Sequence, residues 1–227
     1  GFELLDPEHA HIAEAGPLLI PMLASTNPRV QFFAAQAIGR IKDKTAVQPL
    51  LNMIQANADK DVYLRHAAVL ALSRIGEVQP MVALANQSNK SLRIAAVLVL
   101  RRLSNENVRV FLKDQDEYIV TEAARAINDD HSISTALPDL AALLKEKQFK
   151  SEPLLRRSIN AALRVGGNKQ LEELIAFTDR KDISVALRTE AIAALGSWAN
   201  PSVLDRVDGR YRGKITRDAS QIKTKIT

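Results

Sequence analysis

The 227-residue sequence contains no cysteine. Disulfides, thiolate zinc sites, a cysteine nucleophile and a covalently attached c-type haem are thereby excluded within the chain. Aromatic residues are scarce, at 4%. Ala, Leu, Ile and Val dominate the 46% hydrophobic content instead, a balance that favours helices packed through small residues over a sheet core. No apolar run approaches the roughly 18–20 residues of a transmembrane helix. Residues 1–15 lack both the basic start and the apolar core of a signal peptide. A chain opening on Gly1 without methionine reads as a mature form or a piece of a longer protein. Gly-x-Ser-x-Gly and Gly-rich phosphate loops are missing too, and Gly166-Gly167 reads as a helix stop followed by a tight link.

A one-sided charge distribution is also lacking over most of the chain. Of the net +5, residues 201–227 carry +4, through seven basic residues (Arg206, Arg210, Arg212, Lys214, Arg217, Lys223 and Lys225) against Asp205, Asp208 and Asp218. Residues 1–200 are nearly neutral at +1. A duplex-binding groove would need Lys and Arg massed on one face of the body.

What the sequence does have is a repeat. Apolar anchors at Val30, Leu64, Leu92, Val120, Leu154 and Leu187 are separated by 34, 28, 28, 34 and 33 residues. Four residues after each anchor stand Ala34, Ala68, Ala96, Ala124, Ser158 and Ala191, all small. Seven after it stand Ala37, Ala71, Val99, Ile127, Ala161 and Ala194. These offsets share one helical face, and small residues there let a neighbouring helix approach closely. Three residues before each anchor come Asn27, Asp61, Asn89, Glu117, Ser151 and Ser184, five of them good N-cap residues. Shorter apolar segments lie between the anchor helices, several with proline near their start (Pro17, Pro49, Pro80, Pro138), where a first-turn proline is tolerated. The unit is a helical hairpin.

NPRVQFFAAQAIG resembles the second helix of a HEAT or armadillo-type repeat, and DVYLRHAAVLALS and NKSLRIAAVLVLR match that pattern less completely. The resemblance spans roughly residues 13 to 200. It implies an all-α fold, a right-handed α-solenoid of about six hairpins, with residues 1–200 as the repeat domain and 201–227 as a basic linker or strap. The order of RVQFFAAQAIGRI, DVYLRHAAVLALSRIG, TEAARAIND, EPLLRRSINAALR and ALRTEAIAALGSWANPSVLDRVDGRYR is, in addition, similar to the HEAT segment of large bacterial membrane-bound dehydrogenase-type proteins. There it follows a propeller resembling quinoprotein sugar dehydrogenases and often precedes a cytochrome c domain. That resemblance implies a periplasmic or extracellular module of a larger redox protein, leaving the cytoplasm open. Any quinone or haem chemistry would lie outside this chain.

Candidate sites are few. His66 lies two residues after its anchor, about 200° round the helix from the core stripe, and so faces outward; no second ligand stands at i+4. His9 and His11, near Asp6 and Glu8, have a spacing that could hold a metal or belong to a frayed terminus. His131 follows Asp129 and Asp130 in a loop. HEAT-fold deoxyhypusine hydroxylases use His-Glu dipeptides, absent here, and HEAT-like DNA glycosylases need a basic, aromatic-lined groove. The single tryptophan, Trp198, shares its offset with Ile41 and Ile75 and is expected in the core.

The positive signal is the outward row of the anchor helices, expected to line a groove. Its members are Phe32, Gln36, His66, Leu70, Ser73, Ile94, Leu98, Arg101, Glu122, Arg125, Asp129, Arg156, Asn160 and Thr189. An apolar first half beside a charged second half suits a protein partner, either another domain of the same polypeptide or a separate protein. The expectation is a non-catalytic interaction or spacer module with no cofactor, metal, nucleic acid or membrane insertion; the sequence leaves the oligomeric state open and favours a monomer. The alternative is a HEAT-fold nucleic-acid-binding protein or DNA glycosylase. The tail from Pro201 reads as a linker or strap docked through Val203, Val207 and Tyr211, with a basic arm for anionic partners as the other reading.

Overall fold

The computed structural model describes residues 13–220; His9 and His11 therefore lie outside the described residues. The helices are α1 (Gly16–Leu19), α2 (Pro28–Ile41), α3 (Val47–Asn57), α4 (Val62–Ile75), α5 (Val78–Ala83), α6 (Lys90–Arg102), α7 (Glu117–Asn128), α8 (Leu137–Ala141), α9 (Glu152–Val165), α10 (Asn168–Thr178) and α11 (Val185–Gly196). Short 3-10 segments continue the first arms of the hairpins, as at Ile20–Ala24 and Ala142–Lys145, or form the arm outright, as at Glu106–Lys113. The described residues contain no strand, only one antiparallel bridge between Leu204 and Tyr211. The fold is all-α and solenoid in construction.

The chain divides into two compact units, Gly1–Asn105 and Glu106–Thr227. The first stacks α2, α4 and α6, each with its short arm; the second stacks α7, α9 and α11 likewise. Residues 201–217 are bonded into the second unit, as described below.

The repeat positions behave as the spacing predicts. All twelve residues four and seven places after the anchors are buried. Of the anchors, Val30 departs from the pattern at 39% exposure, in the first turn of α2. Gly39 shows how close the packing is: a Cβ there would stand 2.7 Å from Ala71 Cα. The backbones of α2 and α4 thus meet without a side chain between them. Gly39→Ala would regain up to about 1 kcal/mol of helix propensity against that clash. Gly39→Val has little such gain and is expected to cost about 1–3 kcal/mol, read as a lower urea midpoint.

The caps explain where the second helices start. Asn27, Asp61, Asn89, Ser151 and Ser184 each accept a hydrogen bond from a first-turn amide. The sixth expectation, Glu117, is corrected: the cap of α7 is Asp116, whose carboxylate accepts from Tyr118 N at 2.9 Å. Glu117 is the first helical residue, and its carboxylate instead accepts the amides of Lys150 and Ser151, the latter at 2.6 Å. It ties the start of α7 to the start of α9.

Candidate functional site

In the first unit the outward row is only partly outward. His66 is exposed, while Phe32, Gln36, Leu70, Ser73, Leu98 and Arg101 are half-buried. Phe32 packs edge-on against Phe33, with ring centroids 5.3 Å apart and an 86° interplanar angle. Ile94 is a correction, being buried at 2% exposure. The cause is visible in its own helix: Ile94 to Leu100 is an unbroken apolar run, and a helix apolar all round is covered on more than one side. α6 packs against α3, α4 and α5 at once.

In the second unit Arg125 and Thr189 are exposed, Asp129 and Arg156 half-buried, and Glu122 and Asn160 buried. The last two correct the outward placement, because α7 is flanked by Glu106–Lys113 and α9, while α9 is flanked by α7, α8, α10 and α11. The charged side chains pair in sequence along this face. Arg125 Nη1 meets Glu122 at 3.1 Å, and Arg157 grips Asp129 through Nε and Nη2 at 2.9 and 2.7 Å. Arg156 bridges Glu152 and Glu190, each at 2.9 Å. Between α7 and α9 opens a concavity of about 410 Å³ lined by Glu117, Tyr118, Thr121, Glu122, Arg125, Ser151, Pro153 and Arg157. Glu122 and Arg125 are the two row members that reach it.

The polar centre that the repeat pattern did not reveal lies at the C-terminal ends of α7 and α9. Residues 203–212 double back, with Asp205 N donating to Arg210 O and Arg212 N to Val203 O, both at 2.8 Å. Gly209, at φ 72°, supplies the left-handed residue this turn requires. The Asp205 carboxylate accepts from Val207 N at 2.8 Å, Asp208 N at 3.2 Å, Asn160 Nδ2 at 2.9 Å and Arg212 Nε at 3.2 Å. Asn160 Nδ2 also donates to Asn128 Oδ1 at 2.8 Å. Arg212 continues to the carbonyls of Asp130 (2.7 Å) and Asn128 (2.8 Å) and to Asp208 (2.8 Å). A cation on the last carbonyls of a helix satisfies acceptors that have no intrahelical partner.

Farther along, Arg217 donates to the carbonyls of Trp198 (2.8 Å) and Leu163 (2.6 Å), and its guanidinium lies 4.9 Å above the Trp198 ring. Arg206 pairs with Glu190 at 3.0 Å and Arg210 with Asp130 at 3.2 Å. Four of the seven basic tail residues are thus bonded to the body, so the segment is a strap whose charge is largely used internally. Of its three expected docking residues, Val207 is half-buried but Val203 and Tyr211 are exposed. Polar groups hold it instead. Lys223 and Lys225 lie outside the described residues.

Burial pushes the Asp205 carboxyl up, but the amides of Val207 and Asp208, Arg212 and Asn160 together outweigh it and hold it below its ordinary 3.8. A carboxyl lowered by folding contributes its full stabilisation above the unfolded value and loses it as the pH falls through the folded one. Below pH 3.8, the hydrogen-exchange protection of the Val207 and Asp208 amides is expected to decline while that of interior α9 amides persists.

Among the described residues no group of three or more His, Asp or Glu could hold a metal ion. His66 and His131 are both exposed. No described helix is long and apolar enough to cross a membrane. A family model for HEAT repeats matches residues 16–101. Two engineered proteins of known crystal structure are similar. One is 18% identical over 84% of this chain and 59% of its own, with a TM-score of 0.43. The other is 17% identical over 81% of this chain and 96% of its own, also with a TM-score of 0.43. The chain therefore spans 59% of the length of the first. No curated protein matches the sequence.

Proposed function

We propose that the chain is a non-catalytic protein-interaction module, with its binding surface on the helix row of the first unit. The observation that carries this reading is the half-covered set Phe32, Leu70 and Leu98 beside Gln36 and exposed His66. Aromatic and aliphatic side chains left partly in water, next to groups that form hydrogen bonds, suit recognition of another protein. The HEAT-repeat match covers the same helices, and HEAT repeats generally serve as protein-interaction scaffolds. In the second unit exposed Arg125 and half-buried Arg156 offer charged contacts, whereas Glu122 and Asn160 are buried and take no part in that surface. The finer proposal is that this module belongs to a larger extracytoplasmic, dehydrogenase-like protein, supported by the motif order from RVQFFAAQAIGRI to DGRYR. Its partner is then another domain of that polypeptide or a separate protein.

A partner co-purified with the wild type is expected to be lost with Phe32→Asp or Leu70→Asp while far-UV circular dichroism stays unchanged. Retention by both variants overturns the assigned surface. Ile94 does not serve for this test, since a buried aspartate would disrupt the core. The rival reading, nucleic-acid binding, draws on the +5 charge, but the strap arginines bonded to acids and carbonyls weigh against it. A salt-sensitive mobility shift of duplex DNA by the purified protein would favour that rival. A propeller upstream or a Cys-x-x-Cys-His motif downstream in the complete reading frame would support the dehydrogenase-like parent, and a full frame with neither would sink it.

A further inference from the structure

We propose that the ends of α7 and α9 form a binding site for a peptide turn carrying an aspartate and, seven residues on, an arginine, and that Val203–Arg212 fills this site in cis. Three observations point to a ligand and its receptor rather than an ordinary chain end. The receptor groups are buried amides, Asn128 and Asn160 each being 1% exposed: Asn160 Nδ2 donates to Asn128 Oδ1 at 2.8 Å and to Asp205 at 2.9 Å, and Asn128 Nδ2 donates to Asp129 at 3.2 Å and reaches Asp205 at 3.5 Å. Asn160 occupies the sixth position after its anchor, where the other second helices carry Gln36, Leu70, Leu98, Ala126 and Ala193. The repeat does not require an asparagine there.

The segment, for its part, is organised before it docks. Asp205 holds the amides of Val207 and Asp208, and Gly209 closes the turn, so little ordering remains on binding. Finally, the attachment has the reverse polarity of a core. Leu204 and Tyr211 are 49% and 71% exposed, whereas the side chains of Asp205 and Arg212 are 2% and 11% exposed. Arg164 Nη2 adds a bond to the Leu204 carbonyl at 2.6 Å. Contacts of this kind exchange for water far more readily than packed apolar side chains do. The segment opens without unfolding the helices beneath it.

A protein partner presenting the same Asp and Arg turn competes for the site, and strap release exposes the polar end of the second unit. This builds on the interaction-surface reading, but the test needs no partner, so either can fail alone. In the wild-type chain the amides of Val207, Asp208 and Arg212 are expected to exchange at least about a hundredfold faster than those of Ile159 and Ala161. Equal protection would mean that the strap opens only with the whole unit and would overturn the proposal. A fluorescein-labelled peptide of residues 201–220 is expected to bind the full chain carrying Asp205→Ala and Arg212→Ala at least about tenfold more tightly than the wild type, whose own strap competes. The same peptide carrying Asp205→Ala is expected not to bind. Equal affinity of the two chains, or of the two peptides, overturns the assignment. Should circular dichroism show the double variant unfolded, wild-type hydrogen exchange decides alone.

Discussion

Trp198→Ala is expected to cost about 3–5 kcal/mol, since Trp198 is the largest of the fully buried side chains. Trp198 is fully buried at 0% exposure, two residues after the end of α11, and its ring is the platform for the Arg217 guanidinium 4.9 Å away. Removing it opens a cavity the size of an indole and deprives Arg217 of a cation–π contact worth about 0.5–2 kcal/mol. Its indole N–H has no hydrogen-bond partner among the described residues, so no buried acceptor is stranded by the change. For that reason Trp198→Phe, which keeps an aromatic face beneath Arg217, is expected to cost less than half as much. Guanidinium unfolding of the three proteins checks both statements. An alanine variant within about 1 kcal/mol of wild type would mean that the site collapses without a cavity.

Trp198 was legible because its register is local: eleven residues after Leu187, it shares the offset of Ile41 and Ile75. The same holds for the twelve small or apolar positions four and seven after the anchors, and for five of the six caps. Each depends on periodicity within one helix or on chemistry within one turn. What failed has a different physical origin. Ile94, Glu122 and Asn160 were assigned outward by a two-sided view of a helix, whereas an interior helix of a stack is covered on several sides. α6 carried a readable sign of this in the run from Ile94 to Leu100. The Asp205 centre carried no periodic sign. Asp205 meets Asn160 across 45 residues of sequence and Arg212 meets the Asn128 carbonyl across 84, separations over which no helical period speaks. The sole hint was compositional, a basic tail with aspartates set between its arginines, and that was equally compatible with a free basic arm.

Arg157→Ala carries the second large effect, an expected loss of about 3 kcal/mol. Arg157 and Asp129 are each 11% exposed at the side chain, so the pair sits near the lower end of the range for buried ion pairs. Two parallel bonds join the guanidinium to the carboxylate, at 2.9 and 2.7 Å, and a third goes to the Pro153 carbonyl at 2.8 Å. Among the described residues, alanine leaves the Asp129 carboxylate with only Asn128 Nδ2 at 3.2 Å and the more distant Arg125 at 3.9 Å. Arg157→Lys is expected to recover less than half the loss, because an ammonium cannot span both oxygens and still reach the carbonyl. A double-mutant cycle with Asp129→Ala separates the pair from its surroundings. A coupling of about 2 kcal/mol is expected, and additive losses would show that the two residues act independently. The consequence also extends to the strap. Asp129 is followed by Asp130, whose carbonyl receives Arg212 and whose amide donates to Asp208 at 3.1 Å. Loosening that corner in Arg157→Ala is therefore expected to speed exchange at Val207 and Asp208 before it is felt at Ile159, the order that distinguishes a docked strap from a segment folded as one with the helices.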